Sequence, residues 1–104
     1  QIAIPKVTKK WDDLFLVTKK WIKNEKQNSE AWYEHGFAHE RLLNFEGALN
    51  AYNKSIDLDK NNSDSLYRSA LLHKKNGDSN EAKKIQRNLL LIDEVKGLEL
   101  EKLL

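Results

Sequence analysis

Residues 29–62 and 63–96 are two copies of one pattern at an offset of 34 residues. Trp32-Tyr33 falls on Leu66-Tyr67, Gly36 on Ala70, His39 on His73, Asn44 on Asp78 and Ala48 on Ala82. A repeat of this length constrains the chain to build by stacking. One unit cannot bury its apolar face alone, so the core must form between neighbours. Stacks of this kind usually present an extended surface to a partner, which makes binding a stronger expectation than catalysis.

Each unit reads as two amphipathic helices. In the first, Ala31, Trp32, His35, Gly36, Ala38, His39 and Leu42 recur at helical spacing, with Ser29 as the expected N-cap. Leu43-Asn44 breaks the pattern, and a second helix runs from Phe45 through Ala48, Leu49, Ala51, Tyr52, Ile56 and Leu58 to the loop Asp59-Lys60-Asn61-Asn62. In the second unit, Ser63 is expected to cap a helix carrying Leu66, Tyr67, Ala70 and Leu71. Asn76-Gly77-Asp78 is a turn signal, and Asp78 with Glu81 spells a capping box for a helix that buries Ala82, Ile85, Leu89, Leu90 and Ile92.

These residues resemble the tetratricopeptide repeat family, whose helix–turn–helix unit carries W-x2-L-G-x2-Y, a small Ala, an aromatic and a late Pro. Trp32, Gly36, Ala48 and Tyr52 stand at four of those places. The chain departs from the pattern at His35 (usually Leu), at His39 and His73 (usually Tyr) and at Lys60 (often Pro). In the second unit Leu66, Ala70 and Gln86 replace the Trp, the Gly and the aromatic. The resemblance implies an all-α fold, with antiparallel helix-turn-helix repeats stacked as a right-handed α-solenoid, and a protein-binding role as scaffold or adaptor.

The ends continue the register. Trp11-Asp12-Asp13-Leu14 aligns with Phe45-Glu46-Gly47-Ala48, and Leu100, Leu103 and Leu104 align with Leu66, Ser69 and Ala70. The expected organisation is an extended segment at 1–7, a half-repeat helix at 8–28, units at 29–62 and 63–96, and the start of a terminal helix at 97–104. About five helices and a short terminal turn result. With no Met anywhere, including position 1, the chain reads as a fragment of a longer protein.

Composition narrows the function. There is no Cys, hence no disulfide framework, thiol chemistry or Cys-based zinc site. No apolar run approaches a membrane span and no signal-peptide pattern is present, which points to the cytoplasm. The formal net charge of +2 is too small to imply nucleic acid, but it is unevenly placed: +4 over residues 1–28, −3 over 29–62, +2 over 63–96 and −1 over the last eight. Lys9-Lys10-Trp11 and Lys19-Lys20-Trp21 hint at nucleic acid or a membrane surface. However, Trp11, Leu14, Val17/Thr18 and Trp21 follow helical spacing and read more simply as a buried face.

The candidate site is a groove on the first helices of the units. Tyr33, Phe37, Tyr67 and Leu71 are its expected anchors, and Arg41, Arg68, Lys74 and Lys75 its orienting cations. A subset of the family holds acidic C-terminal tails of chaperones in a clamp of Lys, Asn and Arg. Here Glu30, Tyr33, Phe37, Asp64 and Leu71 occupy those surfaces and only Arg68 is compatible, so that role is disfavoured. His35 and His39 have the spacing of two metal ligands but sit at core positions, and packing is the favoured reading. Asp12-Asp13 and Asp57/Asp59 belong to helix ends, and no nucleophile triad or phosphate-binding loop occurs. No enzyme, metal or cofactor is expected. The expected partner is a protein or peptide. The alternative is a structural or oligomerisation domain of a multidomain enzyme, such as a bacterial transferase, pairing through Leu98, Leu100, Leu103 and Leu104.

Overall fold

The computed structural model describes residues 6–104, and these form six helices with no strand. They are α1 (Lys6–Asn24), α2 (Ser29–Arg41), α3 (Phe45–Leu58), α4 (Ser63–Lys75), α5 (Ser79–Ile92) and α6 (Glu94–Leu103). Each helix packs on its neighbours in the chain, and α6 also touches α4. Two layers result, α1, α3 and α5 in one and α2, α4 and α6 in the other, in a body of 46 × 33 × 21 Å. The helix at the start already includes Lys6 and Val7; residues 1–5 of the expected extended segment lie outside the described residues.

The helix starts sit one residue earlier than the serines suggest. Asn28, Asn44, Asn62, Asp78 and Asp93 each accept, through the side chain, a backbone N–H three residues on. Such a cap is worth about 1 kcal/mol. Ser29, expected as a cap, is instead the first helical residue, which frees its hydroxyl for tertiary contacts. Its Oγ donates to the Ser55 carbonyl at 2.8 Å, and Ser55 Oγ lies 2.6 Å from Ser65 Oγ. Asn62 Nδ2 donates to both Ser29 Oγ (2.9 Å) and Ser55 Oγ (3.1 Å). One buried polar knot thus ties α2, α3 and α4 together. Only half of the expected Asp78/Glu81 capping box forms: Asp78 accepts from Glu81 N–H, while the Asp78 N–H donates to the His73 carbonyl.

The turn after α2 and the turn after α4 are the same motif on different residues. Leu43 N–H donates to the Glu40 carbonyl and Asn44 N–H to His39; Gly77 donates to Lys74 and Asp78 to His73. This double closure needs a left-handed residue just past the helix. Gly77 supplies it at φ 86°, whereas Leu43 is forced to φ 65° with its side chain 74% exposed.

Two apolar clusters form the core. Ala48, Tyr52 and Leu72 make one, with Tyr33, Phe45 and Leu49 against it. Leu66, Ala70, Ile85, Leu89 and Leu100 make the other, with Tyr67, Leu71 and Leu104 packed on it. Gly36 allows the closest approach of α2 and α3, since a Cβ there would lie 2.7 Å from the Tyr52 ring.

Further expectations are corrected. Val17 and Ile92 are exposed, and Thr18 is the buried member of its pair. The C-terminal leucines are not one exposed strip: Leu100 is fully buried and Leu104 packs on the core, leaving Leu98 and Leu103 about half exposed. The reason lies at Asp93, which ends α5 and starts α6 with no loop between them. The four-residue turn of the earlier unit has shrunk to one residue, so the terminal turn becomes a full helix laid tightly on α5. Gly97 makes this contact, because a Cβ there would sit 2.5 Å from Leu90 Cα. Gln86, at the family's aromatic position, donates to the Gly97 carbonyl at 3.0 Å.

Candidate functional site

The face formed by α2, α4 and α6 carries an aromatic and cationic cluster. Phe37 is half-buried at its centre. Trp11 meets it edge-on with centroids 5.8 Å apart, and the Arg41 and Arg68 guanidinium groups each stand 5.1 Å above its ring. Arg41 also lies 5.7 Å from the Trp11 ring centroid. Cations at these distances are attracted by the ring quadrupole, so the arginines are held over the aromatics rather than free in solvent.

Arg68 is fixed from behind. It pairs with Glu40 at 3.6 Å, and Glu40 accepts a 2.7 Å hydrogen bond from the Tyr52 hydroxyl. Tyr52 is fully buried, and burial followed by the bond to Glu40 pushes its pKa far above the ordinary phenol range. Burial also raises Tyr33, whose ring packs on Tyr52 at 5.8 Å. For Arg68, burial opposes the charge, but Glu40 and the two tyrosines outweigh it and hold the pKa above its usual value. The chain Tyr52–Glu40–Arg68 thus connects the core to the face.

A small cavity of about 190 Å³ opens beside this cluster, lined by Tyr33, Asp64, Tyr67, Arg68, Lys96 and Glu99. Lys96 closes one wall by pairing with Asp64 at 3.3 Å, and this hydrogen-bonded pairing raises the pKa of Lys96. Of the eight residues singled out in the sequence, Tyr33, Phe37, Arg41, Tyr67 and Arg68 are brought together here. Leu71 packs on the core beneath α6. Lys74 Nζ donates to the Leu103 carbonyl at the end of α6, and Lys75 stands 4.0 Å over the Phe45 ring. Trp11 and Lys96 are the members that pattern reading did not assign to this face. Trp11 read as buried face, and Lys96 joins only because the shortened turn at Asp93 swings α6 onto α4.

The two histidines of α2 serve packing. Phe15 touches both, tilted against His35 with centroids 4.9 Å apart and edge-on to His39 at 4.8 Å. His35 Nδ1 lies 2.9 Å from Thr18 Oγ, whose hydroxyl reaches the Phe15 carbonyl at 3.1 Å. This chain is satisfied when neutral His35 donates from Nδ1 to Thr18 and Thr18 donates onward. Burial, with repulsion from His39 and Lys19, lowers the His35 pKa to about 4. Asn44 Nδ2 donates to His39 Nδ1 at 3.1 Å, and burial lowers that pKa as well. Among the described residues no group of three or more His, Cys, Asp or Glu could hold a metal ion. None of the described helices is long and apolar enough to cross a membrane.

Family models of the tetratricopeptide repeat match residues 29–62 and 51–84. The chain belongs to the tetratricopeptide repeat family. The first match spans α2 and α3; the second runs from within α3 through α4 into α5, so the matches together cover the repeat in two frames. Repeats of this family generally mediate protein–protein interaction. Among solved structures, the TPR domain of Arabidopsis OM64 superposes with a TM-score of 0.78 at 20% identity, over 92% of this chain and 84% of that one. At that identity the likeness concerns the fold. No curated protein sequence matches the chain.

Proposed function

We propose that this domain is a scaffold or adaptor module that captures a peptide or helix of a protein partner on the α2–α4–α6 face. The observation that carries the reading is the Phe37 cluster: an incompletely buried aromatic, ringed by Trp11, Arg41 and Arg68, with Arg68 preset by Glu40 and Tyr52. Aromatic and Arg anchors concentrate binding energy, and presetting them lowers the ordering cost of association. A partner supplying an apolar side chain for Phe37 and Trp11, and a carboxylate for Arg41, matches this surface. In this reading the domain binds and does not catalyse, and the cytoplasm is its compartment.

Affinity capture from the source lysate tests the proposal. The wild-type domain is compared with Phe37→Ala/Arg41→Glu, after circular dichroism shows the variant is helical. A protein retained by the wild type and lost by the variant supports the reading. Identical capture profiles refute it and favour a structural role within a larger protein.

A further inference from the structure

A second surface lies on the other side of the stack, away from the Phe37 cluster. The C-terminal half of α1, the turn after it, the first turn of α2 and the middle of α3 enclose a groove of about 530 Å³. Its apolar lining comes from Ile22 and Trp32, and its rim from Lys19, Lys23, Lys26 and Lys54. No carboxylate lines it. Glu25, next to Lys26, is engaged by Trp21 Nε1 at 3.1 Å and Asn28 Nδ2 at 3.0 Å. Trp32 is locked in place, its Nε1 donating to the Lys26 carbonyl at 2.9 Å. The groove therefore combines a preset aromatic floor with four exposed cations, none paired with a carboxylate among the described residues.

We infer that this groove docks an acidic polypeptide segment bearing one apolar side chain. The apolar side chain enters over Trp32 and Ile22, and flanking Asp or Glu carboxylates meet the lysines on both rims. Charge complementarity sets the sign of the partner, since like charge at this rim would be repelled. The small apolar lining sets its form. Membrane-surface binders bury the whole apolar face of an amphipathic helix in the lipid, whereas here the apolar lining is two side chains, Ile22 and Trp32, set among four lysines. Nucleic-acid grooves track a long backbone with many cations, and this rim is one short cluster. The volume lies within the roughly 300–1,000 Å³ of sites that enclose a small ligand, which suits one side chain and its flanking backbone.

The test uses the whole domain and a fluorescein-labelled peptide of Asp and Glu around a central Leu. Anisotropy reports affinity, and the three indole N–H signals of the ¹⁵N-labelled domain report place. The expected result is binding that shifts the Trp32 signal and leaves Trp11 in position. Affinity falls by about tenfold or more in Lys23→Glu/Lys54→Glu and severalfold when the probe Leu becomes Ser. Phe37→Ala/Arg41→Glu leaves it unchanged, which separates this site from the proposed partner face. Both lysines are exposed, so the variant keeps its fold, as circular dichroism will show. No binding, binding indifferent to the lysines, or tighter binding to phosphatidylserine vesicles or oligothymidylate than to the peptide overturns the inference.

Discussion

Replacing Gly36 by Ala isolates the contact on which both the repeat and the candidate site depend. A Cβ at this position lies 2.7 Å from Tyr52 Cδ1 and Cε1 and 3.2 Å from the Ala48 carbonyl oxygen. The carbonyl belongs to helix backbone and cannot withdraw. The ring is fully buried and its hydroxyl is bonded to Glu40 at 2.7 Å, so it cannot swing aside without breaking that bond. Overpacking of this kind costs about 1–3 kcal/mol. Against it stands a helix-propensity gain of about 1 kcal/mol for Ala over Gly in a helix interior. The net expectation is destabilisation by about 1 kcal/mol and by no more than about 2 kcal/mol, read from urea unfolding followed by circular dichroism. The cost should fall in a Tyr52→Leu background, where the edge of the ring is gone and only the 3.2 Å contact with the Ala48 carbonyl oxygen opposes the propensity gain. If Gly36→Ala is as stable as wild type, or its cost is the same with Leu at position 52, the close approach of α2 to Tyr52 is not what requires Gly.

Other outcomes follow from single groups. His35 has a pKa near 4 when folded and near 6.5 when unfolded, so its neutral packing contributes fully above pH 6.5 and is lost as pH falls from 6.5 to 4. The contribution is at most about 3 kcal/mol; urea midpoints at pH 7.5 and 5 should separate more in wild type than in His35→Gln. Leu43→Gly relieves an exposed left-handed residue where the matching turn already uses Gly77, and should stabilise the domain by up to about 1 kcal/mol. A drop in thermal midpoint would contradict that. Asn62→Ala removes a cap and two part-buried hydrogen bonds to Ser29 and Ser55, whereas Asn44→Ala removes a cap and one exposed bond. The first should cost about 1 kcal/mol more than the second in denaturant titrations, and equal losses would remove the serine knot from the account.

Much of the fold was legible because it rests on local chemistry. The 34-residue period, the small residues Gly36 and Ala48, and the turn at Asn76-Gly77-Asp78 report helix pairs that must approach closely. What escaped pattern reading depends on tertiary choices. Ser29 and Ser63 are good caps in isolation, but Asn28 and Asn62 precede them and take that role. Ser29 is then drawn to Ser55, a partner 26 positions away. The loss of a loop at Asp93 leaves no compositional trace, yet it decides that α6 covers Tyr67 and Leu71 and that Lys96 reaches Asp64. On the candidate face, spacing brings Tyr33, Phe37 and Arg41 to one side of α2. Only packing shows that Arg68 is held by Glu40 and that Trp11 joins from another helix.

The most direct test of the binding face is a titration of the ¹⁵N-labelled domain with a partner obtained by affinity capture, read at its three indole N–H signals. Trp11 lies in the Phe37 cluster, Trp32 lines the lysine groove, and Trp21 bonds to Glu25. Capture on the α2–α4–α6 face predicts that the Trp11 signal shifts saturably, that the other two hold their positions, and that Phe37→Ala/Arg41→Glu abolishes the effect. A partner that binds while Trp11 and the α2 and α4 amides stay unchanged would contradict the proposed function.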